Sequence, residues 1–230
     1  MPDLRAHYDA MRAAALPQLA RGGAELDALL DAGPADTRRG LTLLARPPAL
    51  VAAALAPVLA ELRSLEPTQY YYPTADLHLT VLSLLSCAPG FTLAAIEPGA
   101  YCRLVAEALR DMPPLRLVFD GLTASPGGIL LQGFPQDEGL AELRARLRTV
   151  FQHSGLVQSI DHRYRLQTAH LTLVRFRRPL HSPAQLATML SQYRQYYFGE
   201  AELDALELVF NDWYQRASHT VLLEKYRLGK

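Results

Sequence analysis

Cysteine is scarce in this chain. Cys87 and Cys102 are the only two in 230 residues, too few for a disulfide framework and in keeping with a reducing compartment. Net charge is also missing, since 23 Lys and Arg balance 23 Asp and Glu. Proteins that coat long nucleic acid through its backbone are basic overall, so no long nucleic acid is expected as a partner; a nucleotide or a short RNA end stays open. No apolar run is long enough to cross a bilayer: the longest, Ala49 to Ala60, contains Pro57. The N-terminus lacks the apolar core of a signal peptide, being interrupted by Asp3, Asp9 and Arg12. These absences point to a cytoplasmic protein with no membrane partner. Half of the residues are hydrophobic, enough to bury a core in one large domain or two small lobes.

One short pattern occurs twice: His78-Leu79-Thr80 and His170-Leu171-Thr172. About 0.4 His-x-Thr matches are expected by chance from seven His and an ordinary Thr frequency. The count alone is therefore mild evidence, but the shared Leu, the apolar run that follows each copy and the separation of ninety-two positions (170 less 78) add to it. In a strand, residues two apart share a face, so each copy presents an imidazole beside a hydroxyl with leucines on the reverse. Two imidazoles can form an acid–base pair, and two hydroxyls can hold a phosphate. A third near-match, Ser218-His219-Thr220, lacks the spacing and reads as a turn entering a strand. His162 and Asp161 are neighbours but lack a third ligand at a diagnostic spacing, so no metal is expected.

Residues 3–31 read as one or two helices broken near Gly22-Gly23, followed by a linker through Gly33-Pro34 and Arg38-Arg39-Gly40. A short strand over Gly40–Ala45 precedes a helix opened by Pro47-Pro48 and running to about Leu65, with a kink at Pro57. Tyr70-Tyr71-Tyr72 leads into the first His-Leu-Thr strand. A helix over about Pro98–Asp111, a strand Leu115–Phe119, a turn at Ser125-Pro126-Gly127-Gly128 and a hairpin partner Ile129–Gln132 come next. Asp137–His153 has helical apolar spacing. Tyr164–Phe176 holds the second motif strand. A helix from Ser182-Pro183 ends near Gly199, and strands over about Asp204–Trp213 and His219–Leu228 form a last hairpin. Short hairpins imply antiparallel pairing, which makes an α+β protein with helices outside a sheet surface in two lobes.

The paired motifs resemble those of the two-histidine (2H) phosphoesterase superfamily, in its 2'-5' RNA ligase-like, 2',3'-cyclic phosphodiesterase branch. Gly40-Leu41-Thr42-Leu43-Leu44 with Pro47-Pro48 is similar to that family's first strand and helix start. Leu115–Leu122 with Gly128–Gly133 resembles its central hairpin, and His170-Leu171-Thr172-Leu173-Val174-Arg175 its second motif with a trailing Arg. The resemblance covers about residues 40–228. It implies two pseudo-symmetric lobes of antiparallel sheet, with outer helices, around a central cleft. The expected division is therefore an N-terminal helical extension over 1–39 and a bilobal two-histidine phosphoesterase domain over 40–230.

The expected chemistry is metal-independent opening of a 2',3'-cyclic phosphate on a nucleotide or RNA terminus, with no cofactor. His78 and His170 would be the catalytic acid and base, in an order left open, because an unperturbed histidine pKa of about 6.5 lets one ring be neutral while the other is charged. Thr80 and Thr172 would bind the phosphate oxygens. Arg175 is a third phosphate-binding residue, since a guanidinium matches phosphate oxygens. Strict alternation puts Arg175 on the wrong face, however, so a bulge or the strand end is needed to return it, and otherwise it is a surface strand residue. Tyr72 is a base-stacking residue at the cleft rim. Arg163, Arg165, Arg175, Arg177 and Arg178 stand against the single acid Asp161 over residues 161–178, a local surplus able to draw in an RNA end. The family's ligase name describes the reverse reaction. The alternative is a non-catalytic module that holds a nucleotide or RNA end in the same cleft.

Overall fold

The computed structural model describes residues 3–229; residues 1, 2 and 230, at the outer limits of the two expected units, lie outside it. Nine strands form one sheet: β1 (Arg38–Ala45), β2 (Tyr70–Tyr71), β3 (Leu79–Pro89), β4 (Leu115–Ser125), β5 (Gly128–Pro135), β6 (Leu171–Arg175), β7 (Tyr197–Leu203), β8 (Ala205–Asp212) and β9 (Val221–Arg227). Their order is β7-β4-β5-β6-β3-β1-β8-β9, with β2 pairing β6. Every pairing is antiparallel. Five helices complete the α+β fold: α1 (Leu4–Ala20), α2 (Ala49–Leu65), α3 (Pro98–Ala108), α4 (Gly139–His153) and α5 (Pro183–Gln192). Among the described residues no helix is long and apolar enough to cross a membrane.

The sheet has two halves. β1, α2 and β3 form one strand–helix–strand unit, and β5, α4 and β6 form another. Each closes an antiparallel pair and ends on a strand that begins inside a His-Leu-Thr motif. The halves meet along β6, where Leu79 of β3 stands opposite Leu171 and the short β2 continues the edge with Tyr70 opposite Arg175 and Tyr71 opposite Val174. The helices cross over between them. α2 packs against β7 and α5, while α4 packs against α3 and β3. Leu55, Leu62, Leu143, Leu147 and Phe151 from these two helices are fully buried with strand residues Leu43, Leu79, Val81, Leu171 and Leu173.

Several elements differ from the expectation. The opening segment is one helix ending at Ala20, with no second helix after Gly22. Arg38 and Arg39 belong to β1 and not to a linker. The second motif strand is shorter than expected, because residues 154–170 form no regular strand. The helix that begins at Pro183 stops at Gln192. A strand, β7, occupies residues that were expected to continue the helix to Gly199. Glu200 and Glu202 are exposed while Ala201 and Leu203 are buried, the alternation of a half-buried strand; Phe198 is buried out of phase, next to a register shift against β4 between Phe119 and Asp120.

α1 docks on β4 and α5. Its buried residues Tyr8, Arg12, Ala15 and Leu19 follow helical spacing, and Arg12 donates to the Leu122 carbonyl. The Tyr8 hydroxyl accepts from Ala169 N–H at 3.1 Å and donates to the Gly133 carbonyl at 3.3 Å. It thus bridges β5 to the residues leading into β6, beyond the last ladder pair, Leu131 with Leu171. Gly133 permits the close approach: a Cβ there would lie 2.0 Å from the Ala169 carbonyl oxygen. Burial pushes the Tyr8 hydroxyl up to about 12, so it stays a donor at all ordinary pH. Replacing Tyr8 by Phe leaves a buried N–H and a buried C=O unpaired. The expected loss is about 1–3 kcal/mol in urea unfolding, read as a fall in midpoint without a change in slope.

Candidate active site

The register places the motif side chains. Carrying Leu79↔Leu171 one step each way sets His78 across from Thr172 and Thr80 across from His170. All four lie on the face opposite the buried leucines and line one cleft of about 360 Å³. Directly opposed residues on a sheet face have Cβ atoms about 5 Å apart and diagonal ones about 7–8 Å. The two imidazoles therefore form one diagonal of a small square and the two hydroxyls the other.

Both strands bulge just after the motif. On β3, Leu43 pairs with Leu82 and Leu44 with Thr80, which leaves Val81 unopposed. On β6, Ile129 pairs with Val174 and Leu130 with Thr172, which leaves Leu173 unopposed. An extra residue reverses the alternation beyond it. Val81-Leu82 and Leu173-Val174 are consequently both buried, and Ser83 and Arg175 return to the cleft. This is the bulge that Arg175 requires. Gly128 makes room for it: a Cβ there would lie 2.3 Å from the Val174 carbonyl oxygen.

Each ring is held through Nδ1 by a group two residues earlier. His78 Nδ1 lies 2.8 Å from the Asp76 carbonyl oxygen, and His170 Nδ1 lies 2.7 Å from the Thr168 hydroxyl. A carbonyl only accepts, so His78 carries its proton on Nδ1 and turns a bare Nε2 to the cleft. A hydroxyl can give or take, so Thr168 leaves the His170 tautomer free. Both rings are pushed down to about 4, chiefly by burial. For His170, the charges of His78, Arg144 and Arg175 add to the depression. For His78, the Asp76 carbonyl opposes it, Arg46 and Arg175 reinforce it, and Asp212 opposes it.

Arg144 of α4 ties β3 to the segment that leads into β6. It is 4% exposed. Its Nε donates to the Val81 carbonyl at 2.8 Å, and its terminal nitrogens donate to the carbonyls of Thr80, Gln167 and Thr168 at 3.1, 3.2 and 2.8 Å. Burial, with Arg148 nearby, lowers its pKa to about 10, which leaves it charged at neutral pH. A planar guanidinium suits this task because its donors diverge in fixed directions.

Arg175 donates through Nε to the Tyr72 hydroxyl at 3.0 Å. Tyr72 lines the cleft but is 4% exposed, its ring packed against Tyr70 and His78. Residues 154–170 form a second wall, tied down where Ser159 accepts from Ser86 N–H and donates its own N–H to the Leu84 carbonyl. Arg148 pairs with Asp161 in the same wall. Of the five arginines between 161 and 178, Arg163 and Arg175 line the cleft, whereas Arg177 and Arg178 pair with Asp31 away from it. His219 sits on Asp212 and does not line the cleft. Among the described residues no group of three His, Cys, Asp or Glu is placed to hold a metal.

The family model described as the 2'-5' RNA ligase superfamily matches residues 47–212. The chain belongs to that superfamily of two-histidine phosphoesterases. No curated protein sequence matches it. Solved structures of 2'-5' RNA ligase-like architecture do. TT0787 of Thermus thermophilus aligns with a TM-score of 0.61 at 21% identity, over 82% of this chain and 97% of its own. E. coli LigT complexed with 3'-AMP aligns at 0.54 and 17%, over 84% and 99%. A conserved protein of unknown function from Agrobacterium tumefaciens aligns at 0.54 and 12%, over 91% and 98%. At these identities the likeness is one of fold.

Within this 2'-5' RNA ligase superfamily member, the cleft also draws in residues the sequence did not single out. Ser83 and Thr42 look like ordinary strand residues until the bulges place them. Arg144 sits among apolar helix positions, between Leu143 and Leu147, and that placement was its one signal. Replacing Arg144 by Leu leaves four backbone carbonyls without their donor, and Lys cannot reach both segments from a single nitrogen. Each substitution is expected to cost at least about 3 kcal/mol in urea unfolding, with Lys no better than a partial rescue. Full stability in either variant would show the clasp to be incidental.

Proposed function

We propose that the cleft opens 2',3'-cyclic phosphates of a nucleotide or RNA end by paired-histidine acid–base catalysis. The observation that carries this is the diagonal placement of His78 and His170 in one cleft with Thr80 and Thr172 between them. In-line displacement at phosphorus needs a base for the attacking water and an acid for the leaving oxygen on opposite sides. Thr80, Thr172 and Arg175 hold the non-bridging oxygens and stabilise the charge that builds there. Tyr72 fixes the Arg175 guanidinium and acts as a positioning residue rather than a base-stacking one. LigT has been solved with 3'-AMP and with ATP, and a cleft of about 360 Å³ is on the scale of one small ligand.

Of the two rings, His78 takes the catalytic proton. Its Nδ1–H faces a carbonyl, which stabilises the cation, and Asp212 adds to this; every influence on His170 works against charge. Water then gives its proton to His170 Nε2 while its oxygen bonds to phosphorus. The ring P–O bond on the far side breaks, and the departing ribose oxygen takes the proton from His78 Nε2. The product is a nucleoside monophosphate, and proton exchange with solvent resets both rings.

The substitutions His78→Ala and His170→Ala are each expected to lower kcat by about 10²–10⁴, followed by monophosphate release from nucleoside 2',3'-cyclic phosphates. Binding without turnover by the folded wild-type protein would instead favour a pure nucleotide-binding cleft. Because both free rings titrate near 4, the singly protonated enzyme becomes scarcer as pH rises. kcat/KM is therefore expected to fall about tenfold per unit from about pH 5 to 8, while kcat holds level further because the bound anion raises the affinity of the rings for protons. A level kcat/KM over that range would exclude this acid–base assignment. Arg175→Lys keeps the charge but loses the fork, and is expected to raise KM about tenfold with a smaller change in kcat.

A further inference from the structure

The far part of the cleft holds two side chains that lack something to bind. Asn211, at the end of β8, is 2% exposed, and Gln215, in the turn that follows, is 4% exposed; both line the cleft. Asn211 Oδ1 and Gln215 Oε1 are buried with no hydrogen-bond partner among the described residues. The Asn211 amide cannot turn over, since its Nδ2 donates to the Asp212 carbonyl at 2.7 Å and points to Cys87 Sγ at 3.6 Å. Its oxygen is therefore a fixed acceptor. Gln215 sits in the following turn with a backbone φ of +58°, a region that side-chain-bearing residues seldom adopt. The turn is held by Asp212, whose carboxylate accepts from the N–H groups of Tyr214 and Arg216. Buried acceptors without donors are costly, so they mark a place where a ligand supplies the donors.

Nearby lie flat groups. Trp213 lines the same cleft, and the Arg163 guanidinium carbon sits 4.6 Å from its ring centroid. Aromatic and guanidinium planes are the surfaces on which bases stack. A planar ligand portion carrying in-plane N–H donors fits both features. Two orphan oxygens call for two N–H groups. An exocyclic amino group provides them on one atom. Uracil offers a single N–H flanked by two carbonyls, which would face the orphan oxygens and repel them.

We propose that Asn211 and Gln215 are the specificity-determining residues of the cleft and select nucleotides whose base carries an exocyclic amino group, adenine, cytosine or guanine, over uracil. This deepens the phosphodiesterase assignment and rests on the nucleotide-binding part of it. Cytidine and uridine make the sharpest comparison, because their rings have the same size and differ in an amine against a carbonyl.

The test uses the full chain in two arms. In one, kcat/KM is measured for the four nucleoside 2',3'-cyclic phosphates. In the other, binding of cytidine and uridine 3'-monophosphates is followed by calorimetry, which needs no turnover. At least a tenfold preference for cytidine over uridine is expected in both arms. Asn211→Leu and, separately, Gln215→Met are expected to bring the ratio to within about twofold of one; Gln215→Met covers the case in which the Asn211 variant misfolds. Selective binding without hydrolysis would sustain the base assignment while removing the phosphodiesterase one. Hydrolysis with equal use of cytidine and uridine would do the reverse. Absence of binding by either monophosphate, or selectivity that survives both substitutions, would overturn the base assignment.

Discussion

The pairing of Leu79 with Leu171 is the one that sets the two motif strands against each other, and the site depends on it; β2 extends the same seam through Tyr70 and Tyr71. A pairing register on a strand cannot slip by one residue without turning every side chain to the other face. Here a one-residue slip of either motif strand would send its imidazole into the apolar layer and its leucine into the cleft. The β3–β6 ladder is short, and the molecule reinforces it with β2 and from behind. Arg144 grips carbonyls of β3 and of the segment leading into β6 at once, and the Tyr8 hydroxyl closes the gap between β5 and the approach to His170. The crossing of α2 and α4 onto the opposite halves adds an apolar seam that neither half could bury alone. The N-terminal helix thereby enters the support of the site, since Tyr8 comes from it.

The same supports set the electrostatics. The two imidazoles are kept neutral by burial and by like charge: from Arg175, which lines the cleft, and, for His170, from Arg144 behind it. That state is inert as an acid. In the proposed mechanism an entering phosphate anion would offset the cations and make a ring proton favourable. On that reading, selection for an anion would lie in the protonation state of the site as well as in its hydrogen bonds. A buried guanidinium without a carboxylate partner, as at Arg144, serves this better than an ion pair would. It satisfies backbone carbonyls while leaving its charge to act on the rings.

The His-Leu-Thr pair was legible in the sequence because alternation is a local property: three residues in a strand decide which two share a face. The helix starts at Pro98 and Pro183 and the turn at Gly127-Gly128 were legible for the same reason. Arg175 could not be placed, because its face depends on Leu173 being left unopposed, which depends in turn on how closely β5 approaches at Gly128. β7 was hidden by the polar, aromatic run Gln192–Tyr197, which reads as a continuing helix until Ala201 and Leu203 are seen to meet the core in alternation, with Phe198 buried beyond a register shift. Residues 164–170 read as part of the second motif strand, but with the residues before them they form no strand. They stay irregular because side chains, the Ser159 hydroxyl and Arg148 with Asp161, hold them in place of a ladder. Asn211 and Gln215 carried no sequence signal at all, since an orphan acceptor is defined only by what fails to reach it.

Near-symmetry poses a problem that the departures from symmetry solve. On the proposed function, a cleft with a His and a Thr from each half would accept a phosphodiester in either of two opposite orientations, only one of which presents the leaving oxygen to the acid. Three differences would remove the degeneracy. The residue that follows the bulge is Ser83 on one side and Arg175 on the other, so the charge on a bound phosphate would be drawn toward β6. The group behind the ring is a carbonyl for His78 and a hydroxyl for His170, so the first proton has a preferred home. The orphan acceptors lie at and just after the end of β8, with no counterpart among the described residues in the other half. Each difference alone biases the orientation modestly, because a hydrogen bond or a partly screened charge is worth about 1–3 kcal/mol. Acting on three separate parts of one ligand, they reinforce one another, and a duplicated pair of motifs becomes a site with a direction.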